Sequence, residues 1–145
     1  MPRYRRMYVP GGTFAFTVCL ADRGARTLVD EIVKLRAAYQ RVAGERPFET
    51  VAICILPDHL HTVWRLPEND ADYPLRWQLI KTHFTRALGR SVWQERYWEH
   101  TIREQNELGD CIEYVHMNPV KHRLVAEVDD WPYSSWHRFR RENDM

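Results

Sequence analysis

The chain has 145 residues, of which 44% are hydrophobic and 28% are charged, and its formal net charge is +1. This length is enough for one domain with its own core, and so small a net charge does not by itself indicate a nucleic-acid-binding protein. Three widely spaced cysteines without a CxxC pair exclude a disulfide framework. No apolar run approaches membrane-spanning length and no signal peptide opens the chain, so we expect a cytoplasmic protein.

The first half of the chain predicts a strand, a helix and two further strands. A basic arm at residues 2–6 precedes a strand at residues 13–20, which is rich in β-branched and aromatic side chains. Between residues 25 and 43, apolar side chains recur at steps of four and three, which indicates an amphipathic helix. Residues 48–56 form a continuous apolar strand, and a short turn leads into the next strand at residues 59–66.

The second half predicts two more helices and one strand. Residues 75–88 form a helix with a basic polar side, the second part of residues 92–103 forms a strand, and residues 106–117 form a helix. We expect Pro119 to end that helix, because the residue before a proline disfavours helical geometry. A basic, aromatic tail follows, and we treat residues 1–145 as a single domain. The order of elements predicts an α+β fold of the ferredoxin-like type, an antiparallel sheet with helices on one face.

Two histidines begin the third predicted strand. Residues two apart in a strand share a face, so His59 and His61 point the same way as Arg65, whereas Leu60 and Trp64 point to the opposite, apolar face. We expect helices to cover the apolar face and the histidine face to stay open. Two imidazoles held side by side make two thirds of a metal site, although a His-x-His pair taken alone is more often a partly exposed pair than a ligand set.

Tyr114 and Asn118 are four residues apart in the last predicted helix and therefore share one of its faces. In a phosphoryl-transfer site, Tyr114 would be a covalent nucleophile and Asn118 would offer a carbonyl oxygen. Two imidazole nitrogens, one amide oxygen and water suit Mg²⁺ or Mn²⁺. From spacing alone, an ordinary tyrosine that packs at the edge of the domain explains Tyr114 better.

Seven segments together resemble the REP-associated tyrosine transposases, domesticated relatives of the single-tyrosine HUH transposases. They are YRR at residues 4–6, PGGTFAFTV at 10–18, LPDHLHTVWRLP at 56–67, KTHFTR at 81–86, WQERYWEHTIRE at 93–104, YVHMNPVKHRLV at 114–125 and WPYSS at 131–135. The His-x-His motif alone is unspecific. The same motif followed by the Tyr-x-His-x-Asn-Pro-Val-Lys run is highly specific.

The resemblance implies an HUH-type endonuclease that cuts and rejoins single-stranded DNA beside an imperfect hairpin. It places the metal-binding histidine pair on His59 and His61, the nucleophile on Tyr114 and the third metal ligand on Asn118. Such enzymes form a 5′-phosphotyrosine link and leave a free 3′-hydroxyl. The expected cofactor is Mg²⁺ or Mn²⁺ and the expected partner is hairpin DNA, with no membrane and no small-molecule cofactor, as a monomer or a homodimer.

Two other functions compete with this one. The first is a hairpin-binding module that has lost the cleavage chemistry. The second is an unrelated small metalloenzyme, which is disfavoured because no HEXXH-type motif is present. Basic residues interleaved with aromatic residues suit contact with phosphates and bases. For each residue predicted to contact DNA, a solvated surface charge is an equally good explanation. The predicted DNA contacts are Arg3, Tyr4, Arg5, Arg6, Arg65, Lys81, Arg86 and Lys121, of which we expect the last four near the active face.

Two positions depart from the family pattern. Asp58 stands where many relatives have asparagine, and its negative charge would either strengthen metal binding or repel DNA. Arg123 stands where relatives usually have glycine. If the backbone needs a positive φ at this position, an arginine is strained there.

Overall fold

The computed structural model describes residues 9–143. The predicted contacts Arg3, Tyr4, Arg5 and Arg6 lie outside this range. The elements are β1 (Thr13–Cys19), α1 (Thr27–Asp30), α2 (Ile32–Glu45), β2 (Glu49–Ile55), β3 (His59–Arg65), α3 (Tyr73–Leu88), β4 (Trp98–Ile102), α4 (Gln105–Lys121), a 3-10 turn (Val128–Asp130) and α5 (Trp136–Asn143). Within the described range, every helix is too short or too polar to cross a membrane.

The four strands form one sheet in the order β2-β3-β1-β4, and each neighbouring pair is antiparallel. This is the strand order of a split β-α-β arrangement, which confirms the predicted fold class. The segment α1–α2 carries the chain from β1 to β2, and α3 carries it from β3 to β4. Because such crossovers share one handedness, both lie on the same face of the sheet.

Large aromatic side chains fill the face under α2 and α3. The ring centroids of Phe16 on β1 and Trp64 on β3 are 5.0 Å apart. Trp64 also stacks on Trp77 of α3, with 4.4 Å between ring centroids and an interplanar angle of 12°. Trp64 is fully buried, and its ring nitrogen donates to the hydroxyl of Tyr39 on α2 at 2.9 Å. The apolar face that strand parity predicts is therefore the main core of the molecule.

The prediction that all helices share one face is wrong for α4, which packs across the histidine face. Ala15, Ala52 and Cys54 of the sheet form a second core there with Leu108 and Val115 of α4. The small sheet residues leave room for a helix, and α4 follows the last strand, so no crossover rule fixes its side. The histidine face is thus covered instead of open.

The prediction that Pro119 ends the last helix is also wrong. Pro119 lies inside α4, which continues to Lys121, and the carbonyl of Asn118 accepts the backbone N–H of His122 at 2.9 Å in helical fashion. Proline forfeits only its own N–H bond, and Pro119 and Asn118 are both buried. Tertiary packing of the helix end therefore outweighs the local preference against helical geometry.

The chain leaves α4 through a left-handed residue, Arg123, with φ of 59°. The N–H of Arg123 donates to the carbonyl of Val120, and that of Leu124 donates to the carbonyl of Pro119, both at 2.9 Å. This pair of bonds is the Schellman arrangement, in which the left-handed position is usually glycine. The strain expected for an arginine at a positive φ is therefore present.

Candidate active site

His59 and His61 lie next to each other at the start of β3, as strand parity predicts. Their ring centroids are 4.9 Å apart and the rings are nearly perpendicular, at 88°. Their partners across the sheet on β1 are Cys19 and Thr17. Because α4 covers this face, only 5% of His59 and 6% of His61 is exposed. The expectation of exposed histidines is corrected: the pair is held in a buried, rigid setting.

The Nδ1 atoms of both imidazoles are engaged by the protein. His59 Nδ1 lies 2.7 Å from a carboxylate oxygen of Asp58, which can only accept, so the proton sits on Nδ1 and Nε2 keeps its lone pair. His61 Nδ1 lies 2.8 Å from the hydroxyl of Thr17, which can accept from the tautomer that leaves Nε2 as a ligand. Such partners commonly orient metal-bound histidines.

Two buried polar atoms at this site lack a hydrogen bond of acceptable geometry among the described residues: His61 Nε2 and Asn118 Oδ1. Asn118 is fully buried, and its amide nitrogen makes one long bond of 3.4 Å to the carbonyl of Tyr114. Leaving a buried polar atom without a partner costs about 1–3 kcal/mol. An imidazole nitrogen and an amide oxygen in this setting are ligand atoms of the types that a divalent cation takes.

A cation here would have to use the amide. Among residues 9–143, no group of three or more His, Cys, Asp or Glu side chains is placed to hold a metal ion. His59, His61 and Asn118 offer two nitrogens and one oxygen, so the donor set fits Mg²⁺ or Mn²⁺ completed by oxygen ligands from water and phosphate.

Burial keeps both imidazoles neutral. The pKa of His61 is lowered to about 3, chiefly by burial and also by the nearby rings of His59 and His122, while the Asn118 amide acts in the opposite direction. The pKa of His59 is also lowered, chiefly by burial and against the pull of the Asp58 carboxylate. Near neutral pH both side chains are therefore in the form that binds metals.

Tyr114 on α4 is the exposed member of the site. Its ring centroid lies 5.3 Å from that of His61, at 81°, and 48% of the residue is exposed. The ammonium of Lys121 lies 4.9 Å from the centre of the Tyr114 ring. The structure thus places a hydroxyl-bearing ring, a cation and the histidine pair together, which is the set of groups that a phosphate would meet.

Two residues beside the histidines escaped the sequence analysis. Arg23, in the loop after β1, donates from Nε to Asp58 at 2.8 Å, and its Nη2 lies 3.4 Å from His59 Nδ1. The ring of His122 lies 5.2 Å from that of His59. Arg23 is distant in sequence and belongs to no local pattern, and His122 lies in the family motif at residues 114–125 without a role that the sequence assigns to it.

The charge of Asp58 is compensated by these neighbours. Burial alone would raise the pKa of its carboxyl, but hydrogen bonds from His59 and Arg23 outweigh burial and lower the pKa. Asp58 therefore stays ionised and orients His59.

Of the predicted DNA contacts within the described range, Lys121 adjoins the site and three others do not. Arg65 lies at the opposite end of β3 and faces Glu49 at 3.4 Å. Lys81 and Arg86 lie on α3, across the sheet from the histidines, and line a cleft of about 720 Å³. The expectation that all four lie near the active face is corrected, because α3 packs on the aromatic face of the sheet and Arg65 ends β3 at the edge away from His59.

Comparison with known proteins gives a consistent result. No family model matches the chain. A REP-associated tyrosine transposase of Escherichia coli strain K12 is 45% identical over 139 residues, which cover 95% of this chain and 84% of the relative. A Haemophilus influenzae relative named for the same group is 45% identical over 153 residues, covering 95% of this chain and 87% of the relative.

Solved structures agree. The structure of a REP-associated tyrosine transposase bound to a REP hairpin matches with a TM-score of 0.93 at 45% identity, over 95% of this chain and 84% of the other. A crystal structure from Deinococcus radiodurans matches with a TM-score of 0.53 at 21% identity, over 79% of this chain and 98% of the other. The second likeness shows a shared fold alone.

Proposed function

This chain belongs to the REP-associated tyrosine transposases, which are DNA-cleaving enzymes, and we propose that it cuts and rejoins single-stranded DNA beside REP-like hairpins with the help of a divalent cation. The observation that carries the proposal is the contact of the exposed Tyr114 with His61, one member of the buried histidine pair. Hairpin DNA as the partner is supported by the related structure, which is bound to a REP hairpin.

The cation would be held by Nε2 of His59, Nε2 of His61 and Oδ1 of Asn118. When bound, a divalent cation polarises the scissile phosphate and offsets its developing charge. Asp58 and Thr17 hold the two imidazoles in a fixed orientation through their Nδ1 atoms. The burial of the pair keeps both imidazole rings neutral, so metal binding near neutral pH would release no proton from either histidine.

Tyr114 would supply the nucleophile. Its hydroxyl oxygen attacks the phosphorus, the bond from phosphorus to the 3′-oxygen breaks, and the hydroxyl proton of the tyrosine ends on the leaving 3′-oxygen through solvent. The products are a 5′-phosphotyrosine and a free 3′-hydroxyl, and attack by a 3′-hydroxyl reverses the step. The half-exposed position of Tyr114 leaves room for a strand, and Lys121 places positive charge beside it.

A covalent-adduct assay tests the proposal. The protein is incubated with single-stranded DNA that carries a palindrome from around its own gene and a label at the 3′ end. One reaction contains Mg²⁺ or Mn²⁺, and a parallel reaction contains a chelator instead. We expect a labelled, protein-sized band on a denaturing gel only when metal is present. Binding of the hairpin without any adduct would contradict the proposal and favour a hairpin-binding module without chemistry.

A further inference from the structure

One cavity beside the site is bordered by two exposed aromatic side chains. Trp98 on β4 is 53% exposed and Tyr114 on α4 is 48% exposed. Both line a cavity of about 470 Å³ between the sheet and α4, and His61 lies in its wall. We propose that this cavity binds one unpaired nucleobase next to the scissile phosphate, with Trp98 as its stacking surface. This inference rests on the proposed function.

The register of the sheet ties Trp98 to the histidine pair. Thr17 on β1 pairs with Trp98 on one side and with His61 on the other, so the three residues form one row on the same face. Neighbouring strands are about 4.8 Å apart, which puts Trp98 roughly 10 Å from His61 across the sheet. A nucleotide whose phosphate lies at Tyr114 can span that distance and place its base on Trp98.

The ring of Trp98 is held in place. It lies nearly parallel to the ring of His100, at 11° and 5.8 Å between centroids, and His100 in turn contacts a carboxylate oxygen of Glu107 on α4 at 3.3 Å. A large apolar side chain that is oriented but half exposed, on an edge strand next to an active site, is an unfilled contact surface. It has the form of a stacking platform for single-stranded nucleic acid.

The lining of the cavity favours a base over the DNA backbone. Ala15 and Val115 supply apolar walls, and among the described lining residues the only formally charged side chain is Asp110. A carboxylate repels a phosphate, but it accepts a hydrogen bond from an exocyclic amino group of a base. The continuity of the cavity with Tyr114 and His61 places the occupant on the reacting strand.

The test couples a protein change to a DNA change. Hairpin oligonucleotides with one abasic site at each position flanking the cut are titrated by fluorescence anisotropy against the full chain and its variants, with a chelator present so that the DNA is bound but not cut. We expect Trp98→Ala to weaken binding of the intact oligonucleotide about 5- to 100-fold, the range that base–aromatic stacking supplies. That loss should vanish on the oligonucleotide that lacks the stacked base.

Two variants serve as controls. Trp98→Phe keeps an aromatic face and should retain most of the affinity. Met117→Ala removes an exposed apolar side chain of α4 that does not line the cavity, and it should change nothing. A melting curve for each variant shows that the fold is kept.

The outcomes separate this proposal from the proposed function. An equal loss on every abasic oligonucleotide, or no loss at all, overturns the base-binding site even when the wild type forms the covalent adduct. Conversely, a loss that disappears at one abasic position supports the base-binding site even when no adduct forms, in which case the cleavage chemistry alone fails.

Discussion

The two faces of the sheet are packed in opposite ways. Under α2 and α3 the buried side chains are large rings such as Phe16, Trp64 and Trp77. Under α4 the sheet contributes small side chains, and polar groups such as His61 and Asn118 are buried among them. The first arrangement maximises apolar contact, and the second places imidazole and amide groups where they cost free energy unless a ligand satisfies them.

Polar atoms without a partner occur on both faces of the described structure, but they differ in kind. On the aromatic face they include the ring nitrogens of Trp77 and Trp93, which only donate and belong to large apolar rings, and the hydroxyl of Thr101, which pairs with Phe14 across the sheet. On the histidine face they are His61 Nε2 and Asn118 Oδ1, the atoms of the proposed cation site. The comparison teaches that one face supplies stability and the other gives up some stability for chemistry.

Tyr114→Phe should separate the two faces most clearly. It removes one hydroxyl and keeps the ring contact with His61, so cleavage and the covalent adduct should fall on the order of a thousandfold or more while the melting temperature and hairpin affinity stay nearly unchanged. Tyr133→Phe is the matched control, since Tyr133 lines a different cavity, together with Arg36 and Tyr39. Cleavage by Tyr114→Phe at the wild-type rate would show that another group is the nucleophile.

Trp64→Ala should lower the stability of the fold and leave the cleavage chemistry intact. The ring is fully buried between Phe16 and Trp77, so its removal should cost about 3–5 kcal/mol in the free energy of unfolding, measured by urea denaturation. At a temperature where the variant is still folded, adduct formation per folded molecule should remain. A selective loss of activity in a fully stable variant would contradict the division between the faces.

His61→Ala should remove the stabilisation that a metal gives. For the wild type, Mn²⁺ at about a hundred times its dissociation constant should add about 2.7 kcal/mol to the free energy of unfolding, and this gain should be lost in the variant. His100→Ala is a control histidine on β4 that is partly exposed. An equal rise in melting temperature for His61→Ala would place the cation elsewhere.

Asn118→Ala should weaken metal affinity about tenfold, or about 1.4 kcal/mol, by removing the buried amide oxygen. Asn118→Asp replaces that oxygen with an anionic one at nearly the same volume and should keep or raise the affinity for Mn²⁺. Titration followed by calorimetry measures both. If Asn118→Ala lowers stability and leaves metal affinity unchanged, Asn118 caps the helix, and another group is the third ligand.

Arg123→Gly should give the smallest effect, a gain of about 1 kcal/mol in the free energy of unfolding. Glycine adopts the left-handed geometry at φ of 59° without the steric cost that a side chain carries. Arg123→Ala removes the charge and keeps the strain, so it should gain nothing. Equal stability of the glycine and alanine variants would mean that no strain is stored at the end of α4.

Much of the architecture follows from local patterns. Alternation along β3 indicated which residues share the face of His59 and His61, and apolar spacing located α2, α3 and α4, since these patterns depend on periods of two and 3.6 residues. The helix α5 lies in a segment that the sequence predicts only as a basic, aromatic tail. The strand order confirmed the fold predicted from the succession of elements. The family motif named the site residues, and the structure brings Tyr114, His61 and Asn118 to one place.

The sequence by itself thus determined the strands, the helices between them and the apolar face of the sheet, and its family motif indicated the candidate ligands. Only the tertiary structure decided that α4 covers the histidine face, that it runs through Pro119, and that Arg23 and Trp98 flank the site. Local patterns cannot show such contacts, because they join residues far apart in the chain and depend on how much space small side chains such as Ala15 and Ala52 leave between layers.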